Sequence, residues 1–349
     1  MKSDKESHRP WTGRSTLVDV VRIAAVTIVM VHHMDDYAGG FFQSSAPYAI
    51  SDDLITAAAL SALFALSGLL AHRSLDGPSA RAPSAFLRRR ILRVYPPFVI
   101  ALILFLAAGL WRPSPLALVE NVLVLGPITG KMPPTLWFVE IIIWYYLVIS
   151  VLKALYMVRG RRTENRRWSA IAQGVLMAGA VIALMLFASP DSRLFIYAPA
   201  AAIGWYLYRP DGMFANPRQL RLGSALTVLS AMVYVMTYPY GPPLTSAALT
   251  LEAFAVGWLV ATVVTSPWDT PQTHPIVWAL AYGSFMAYLG HRLVFRSISY
   301  ASERRGIGVH AEVAILLASI PVIFIVGWVA QSFYDRAIGR VQARGNITK

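Results

Sequence analysis

Stretches of about 20 apolar residues alternate with short polar segments rich in proline and glycine along the whole chain. A helix of about 20 residues crosses the hydrocarbon core of a bilayer. The pattern therefore predicts an all-α membrane protein, a polytopic bundle of about ten transmembrane helices. The predicted spans are residues 17–34, 54–72, 91–111, 135–157, 168–188, 194–208, 221–239, 244–266, 276–297 and 311–332.

Composition agrees with the membrane class and excludes a set of soluble domains. The 349 residues are 56% apolar and only 14% charged, and the mean hydropathy is +0.53. Most of the 31 lysine and arginine residues fall on the side of the predicted bundle that holds the amino terminus. The positive-inside rule then places both termini in the cytoplasm, in a plasma (inner) membrane. We therefore expect a cytoplasmic tail at 1–16, a transmembrane domain at 17–332 and a second cytoplasmic tail at 333–349.

Charge and cysteine content narrow the possible functions further. The net charge of +13 is explained by membrane topology, so we expect no nucleic-acid partner. The lipid bilayer is an expected partner. The chain contains no cysteine, which excludes a thiol nucleophile and cysteine-bound metals. No pair of histidines has the spacing of a metal site, so we expect no metal.

The first predicted span carries ionisable residues that a purely structural span would lack. Arg22 and His33 are eleven residues apart, which at 100° per residue brings them within about 20° of one direction, some 16 Å apart along the helix. His32 is turned about 100° from His33, so we favour His33 as the functional histidine. In the alternative interpretation these groups only reach toward the headgroups at either end of the span. Intramembrane charges are costly, which favours a functional site.

A cluster of arginines marks the start of the third span. Four of them lie within six residues, more than membrane anchoring alone requires, and guanidinium groups bind phosphate bidentately. Pro96-Pro97 follows, and we expect this pair to break backbone hydrogen bonding and so to open a cavity mouth. The cluster comprises Arg88, Arg89, Arg90 and Arg93.

Together these motifs resemble the integral-membrane acyltransferase family 3, whose members include O-acetyltransferases of envelope polysaccharides. The resemblance covers roughly residues 15–300. It rests on Arg22 and His33 with ten residues between them, on LFALSG at 63–68, RRRILRVYPPF at 88–98, LWF at 136–138 and GSFMAYLGH at 283–291.

The resemblance implies acyl transfer from a cytoplasmic acyl-CoA, acetyl-CoA in the first instance, to a hydroxyl group. Transfer needs a base, and imidazole titrates near neutral pH. We expect His33 to be the general base, although transient acylation of His33 is an open alternative. Asp36 could orient the imidazole or could be a solvated loop residue. Arg22 could bind the pantetheine arm or pair with Asp19.

Binding residues follow from the same resemblance. Acyl-CoA is expected as a co-substrate, with no tightly bound cofactor, and its phosphates and pantetheine arm would contact the arginine cluster together with Ser67, Gly68 and Tyr95. Packing between helices is the alternative for Ser67-Gly68. For the acceptor, an envelope glycan or a glycosylated small molecule, we expect contacts from Trp137, Glu140 and His291. The alternatives are an interfacial belt position for Trp137, a basic partner within the bundle for Glu140 and a packed, hydrogen-bonded core histidine for His291. A permease with a polar relay of arginine, histidine and glutamate is the alternative function.

Overall fold

The computed structural model describes residues 15–38, 46–76, 82–160, 190–206, 217–265 and 274–347. All regular structure in these residues is helical, which confirms the all-α part of the predicted fold class. Tyr238–Tyr240 form a 3₁₀ turn. The α-helices are α1 (Thr16–Met34), α2 (Ala46–Asp76), α3 (Pro83–Ala107), α4 (Pro115–Val122), α5 (Gly126–Thr129), α6 (Trp137–Gly160), α7 (Arg193–Ile196), α8 (Ala198–Tyr206), α9 (Pro217–Thr237), α10 (Pro242–Val264), α11 (Pro275–Arg305) and α12 (Val309–Ile347).

Seven of the described helices are long and apolar enough to cross a membrane, and each coincides with a predicted span. They are α1, α2, α3, α6, α9, α10 and α12. The other three predicted spans are not among these seven helices. The span at 168–188 lies outside the described residues, and the one at 194–208 is split between α7 and α8. Helix α11, with 31 residues, is long enough for the span at 276–297, but it is too polar to count by composition.

Contacts between helices define two ends of the bundle. At one end, which we call the Arg22 end, the Tyr282 hydroxyl of α11 donates to Asp335 Oδ2 of α12 at 2.5 Å. At the opposite end, which we call the His33 end, the rings of His33 and His291 stack. Helices α1 and α11 therefore run in the same direction and α12 runs back. The start of α1 and the last part of α12 lie at the same end, as an even number of spans requires.

Glycines allow helices α2 and α8 to touch through their backbones at two points. A Cβ atom on Gly68 of α2 would lie 2.1 Å from the carbonyl oxygen of Ala201 in α8, and one on Gly204 would lie 1.9 Å from that of Ala65. Small residues at such crossings are typical of membrane helices. Gly68 therefore packs against α8, which matches the packing interpretation of the Ser67-Gly68 pair.

Helix α3 corrects the expectation for Pro96-Pro97. The helix begins at Pro83 and runs without interruption to Ala107, with both prolines inside it. Neighbouring groups can compensate for the lost backbone hydrogen bonds of proline in a bundle, which is why membrane helices tolerate it. The arginine cluster accordingly lies on a helix and not in a loop before one.

Candidate active site

Two cavities enter the bundle from its opposite ends. The larger, which we call the His33 cavity, has a volume of about 650 Å³ and is lined at its polar positions by His32, His33, Asp53, Thr135 and Arg292 among others. The smaller, which we call the Arg22 cavity, has a volume of about 170 Å³. Its lining includes Arg22, Ser67, Arg90, Arg93 and Tyr282, together with apolar side chains.

Tyr288 of α11 lines both cavities and stands between them. Its hydroxyl donates to the backbone carbonyl of Thr135 at 2.6 Å, and its ring lies 5.2 Å from that of Phe138. Phe138 in turn packs on Phe64, with ring centroids 4.7 Å apart. Phe64 is fully buried. Tyr288 therefore marks the place where the two cavities approach each other.

Each ring nitrogen of His33 faces a polar side chain. Its Nε2 lies 3.3 Å from Thr135 Oγ1, and its Nδ1 lies 3.5 Å from Asp36 Oδ2 without making a hydrogen bond. The tautomer with the proton on Nδ1 suits both neighbours, because Nε2 can then accept from the threonine hydroxyl while Nδ1 faces a carboxylate. His291 stacks on the His33 ring at 5.4 Å. The arrangement of hydroxyl, imidazole and carboxylate has the form of a hydrolase triad.

Arg292 holds this group of side chains together. Its Nη1 donates to Thr135 Oγ1 at 3.1 Å, its Nε donates to the Tyr37 hydroxyl at 3.3 Å, and its Nη2 donates to Asp36 Oδ2. Burial alone would raise the pKa of Asp36, but the nearby His33 imidazole and the positive charge of Arg292 outweigh burial, and the pKa falls below its usual value. Asp36 is therefore ionised at neutral pH. It belongs to the site and is not an isolated loop residue.

His32 also faces the His33 cavity, despite its offset around the helix. Its Nδ1 lies 2.6 Å from Asp52 Oδ2 at the start of α2, and its ring lies 4.9 Å from the ring of His33. The cavity is wide enough for two adjacent helix positions to reach it. The difference between the histidines is one of partners, since His33 alone contacts Thr135.

Arg22 lies at the opposite end of the bundle from the His33 cavity. Its Nη1 is 3.9 Å from Asp19 Oδ1 in the preceding turn, and its side chain lines the Arg22 cavity. The pairing with Asp19 and the position in the cavity are compatible with each other. Arg22 and His33 thus occupy two separate cavities rather than one continuous channel.

The arginine cluster is divided by helical geometry. Arg90 and Arg93 line the Arg22 cavity, and Arg90 Nη2 donates to the Leu70 carbonyl at 3.3 Å. Arg88 and Arg89 are exposed and line neither cavity. A spacing of three places Arg90 and Arg93 on one face of α3, whereas Arg88 and Arg89 fall on other faces.

Tyr95 and Glu140 also lie outside both cavities. The Tyr95 hydroxyl donates to the Val122 carbonyl at 2.8 Å, just after α4. Glu140 is fully buried, and a Cβ atom added to Gly126 would lie 2.5 Å from its Oε2. Neither residue is placed to contact a substrate in the His33 cavity or the Arg22 cavity.

Trp137 does line the His33 cavity, but its ring faces have other partners. The guanidinium of Arg193 lies 4.5 Å above the ring, and Tyr197 stacks on it at 5.9 Å. Arg193 is fixed by Asp191, with Nε to Oδ1 at 2.8 Å and Nη2 to Oδ2 at 2.7 Å. Only the edge of Trp137 is therefore available to a bound molecule.

Sequence reasoning missed four residues of the His33 cavity: Asp53, Thr135, Tyr234 and Arg292. Arg292 directly follows the predicted His291, and Thr135 directly precedes the LWF motif. Proximity to a motif was therefore the weak signal that could have identified these two residues. Thr135 has φ of +64°, which is an unusual conformation for a β-branched residue. Asp53 accepts from the Tyr234 hydroxyl at 3.2 Å, a contact across 181 residues that no local pattern reveals.

Residues 16–331 match the family model described as an acyltransferase domain. This chain is a member of the acyltransferase 3 family. The acyltransferase is accordingly an enzyme and a membrane protein, and the predicted family resemblance is confirmed. No curated protein and no solved structure gave a significant match.

Proposed function

We propose that this acyltransferase moves an acyl group, acetyl in the first instance, from cytoplasmic acyl-CoA to a hydroxyl of a carbohydrate or glycoconjugate. The observation that carries this proposal is the pair of cavities that meet at Tyr288. One cavity has arginines at its mouth, and the other contains a histidine paired with a carboxylate. Such an arrangement lets two different reactants approach one point from opposite sides, which converts a bimolecular encounter into a positioned reaction.

The Arg22 cavity suits the donor. Arg90 and Arg93 offer guanidinium groups to the phosphates of coenzyme A, and the narrow, largely apolar space beyond them suits a thin, flexible arm such as pantetheine. Arg22 lies along that route. If the Arg22 end of the bundle faces the cytoplasm, as the positive-inside rule predicts for a plasma membrane, acyl-CoA has direct access.

The His33 cavity suits a polyhydroxylated acceptor. Its lining includes Asp53, Tyr234 and the edge of Trp137, which supply hydrogen-bonding groups around a volume large enough for one or two sugar rings. An envelope glycan and a glycosylated small molecule both fit this description. His291 stacks on the His33 ring and does not itself line the His33 cavity.

Catalysis is assigned to His33 with help from two charged neighbours. Nε2 of His33 takes the proton from the acceptor hydroxyl as the oxygen attacks the acyl carbonyl carbon. The Asp36 carboxylate faces Nδ1, where it orients the ring and stabilises the imidazolium. The guanidinium of Arg292, which is held in the site by Asp36, supplies positive charge where the carbonyl oxygen becomes negative.

Membranes carrying the protein provide the test. Radiolabelled acetyl-CoA is added, and label in envelope material is followed for wild type and for His33→Ala. A general base contributes about 10²–10⁴-fold to rate, so we expect the variant to lose at least about 100-fold. His310→Ala, an exposed position near the start of α12, is the matched control and should retain the wild-type rate. Equal labelling by wild type and His33→Ala, or none by wild type and His310→Ala despite confirmed insertion, would contradict the proposal.

A further inference from the structure

The contacts of the Thr135 side chain are not explained by a role in orienting the acceptor alone. Its hydroxyl is the group closest to the reactive nitrogen of His33, with Oγ1 at 3.3 Å from Nε2. The same oxygen accepts from Arg292 Nη1 at 3.1 Å. Arg292 thus occupies one side of the oxygen, which leaves the hydroxyl proton directed toward the histidine. The Asp36 carboxylate lies on the other side of the His33 ring, near Nδ1.

The backbone at Thr135 is also unusual. A positive φ in a β-branched residue is strained, and such strain persists where the surrounding structure enforces it, often at functional sites. Here the Tyr288 hydroxyl fixes the Thr135 carbonyl at 2.6 Å, and α6 begins two residues later. The nucleophilic serine of α/β-hydrolases stands on a comparable sharp turn before a helix, where its oxygen is presented to the substrate.

The location of Thr135 between the two cavities completes the argument. Thr135 lines the His33 cavity, while Phe138 and Val139, one helical turn further on, line the Arg22 cavity. Tyr288, which lines both, touches Thr135 directly. Thr135 itself lines only the His33 cavity, so a donor arm in the Arg22 cavity must extend past the Tyr288 ring to bring its acyl group to the Thr135 oxygen, where an acceptor in the His33 cavity can then receive it.

We propose that Thr135 is a catalytic nucleophile that carries the acyl group as an ester between donor and acceptor, an inference that rests on the proposed acyltransferase function. In the first step Oγ1 forms a bond to the thioester carbonyl carbon and its proton passes to His33 Nε2. The carbon–sulfur bond then breaks, and coenzyme A leaves as the thiol after taking that proton. In the second step His33 Nε2 accepts the proton of the acceptor hydroxyl, whose oxygen attacks the acyl carbon. The bond to Oγ1 breaks, and Oγ1 recovers the proton from His33.

The first step can be tested without knowing the acceptor. Membranes or purified protein are incubated with unlabelled acetyl-CoA and radiolabelled coenzyme A, and label entering acetyl-CoA is measured. A two-step enzyme catalyses this exchange, because the acyl-enzyme can return its acyl group to free coenzyme A. Thr135→Val keeps the branched shape and removes the hydroxyl. We expect it to lower exchange by about 10³-fold or more. Thr135→Ser should keep exchange within roughly tenfold of wild type.

Thr129→Val is the matched control, because Thr129 lies in the same connection between α3 and α6 but lines neither cavity. It should exchange at the wild-type rate. Mass spectrometry of quenched wild-type protein should find an acetyl ester on the peptide containing Thr135, and Thr135→Val should lack it. If Thr135→Val fails to insert into the membrane, two other results test the proposal: the exchange activity of Thr135→Ser and the presence of the acetyl ester on the wild-type protein.

The possible failures are distinguishable. If wild type labels envelope material in a His33-dependent way but shows no exchange and no ester, the acyl group moves directly and the role of Thr135 is overturned while the proposed function stands. The same holds if Thr135→Val transfers acetyl normally. If wild type neither exchanges nor labels any acceptor despite confirmed insertion, the proposed function fails and the role of Thr135 fails with it.

Discussion

Replacement of Gly68 by alanine tests whether this residue packs helices together or contacts the donor. The added Cβ atom would lie 2.1 Å from the Ala201 carbonyl oxygen and 3.0 Å from Trp205 N, whereas ordinary contact begins near 3.4 Å. Both neighbours are backbone atoms, so no side-chain rotation can relieve the clash. Helices α2 and α8 must separate by about 1 Å.

The cost follows from the nature of the contact. Overpacking a well-packed core typically costs about 1–3 kcal/mol, and a clash between two backbones belongs at the upper end of that range. The shift in melting temperature per 1 kcal/mol falls with chain length and is roughly 1–2 °C for a chain of 349 residues. We therefore expect Gly68→Ala to lower the melting temperature in detergent by roughly 3–4 °C.

The assay is thermal unfolding of the purified protein in detergent, combined with donor saturation curves at a temperature where the variant is folded. Gly339→Ala is the control, because a Cβ atom there meets nothing within 4 Å, and alanine is favoured over glycine inside a helix. Its melting temperature should equal or slightly exceed that of wild type. An unchanged melting temperature for Gly68→Ala with a raised KM for acyl-CoA would refute the packing role and favour a donor contact.

Three further predictions concern the two cavities. Arg93→Glu should raise the KM for acyl-CoA more than it lowers kcat, because it removes a remote phosphate contact. Arg89→Glu should change the KM little. Steady-state kinetics in membranes measure KM and kcat for both variants. The pKa of Asp36 is lowered in the folded protein. Its ion pair with Arg292 therefore contributes stability at pH values above the ordinary carboxyl pKa of about 3.9. This contribution is lost as the pH falls through the lower pKa of the folded state. The melting temperature should therefore decline more steeply below about pH 4 for wild type than for Asp36→Asn, and identical pH profiles would contradict the ion pair. His32→Ala should reduce acetyl transfer less than His33→Ala, measured in the same membranes, since Thr135 contacts only His33; equal losses would show that both histidines act in the reaction.

Much of the fold was predictable, because burial of apolar residues in a bilayer leaves a strong periodic signal in the chain. Seven predicted spans coincide with apolar helices. The span predicted at 276–297 falls within α11, which is long enough to cross a membrane but too polar to qualify by composition. The span predicted at 194–208 is divided between α7 and α8. The proline pair does not interrupt α3, because neighbouring groups in a bundle can compensate for the backbone hydrogen bonds that proline removes.

The sequence by itself determined the membrane class, the family and the candidate histidine, because hydropathy and short motifs are local properties of the chain. Only the tertiary structure decided which groups meet. Thr135 and Arg292 join His33 and Asp36 across more than 100 residues of sequence, and helix geometry separates Arg90 and Arg93 from Arg88 and Arg89. The division of the bundle into two cavities at Tyr288 depends on how α1, α6 and α11 pack against each other. Such long-range contacts arise from the folded arrangement of several helices, and no local pattern encodes them.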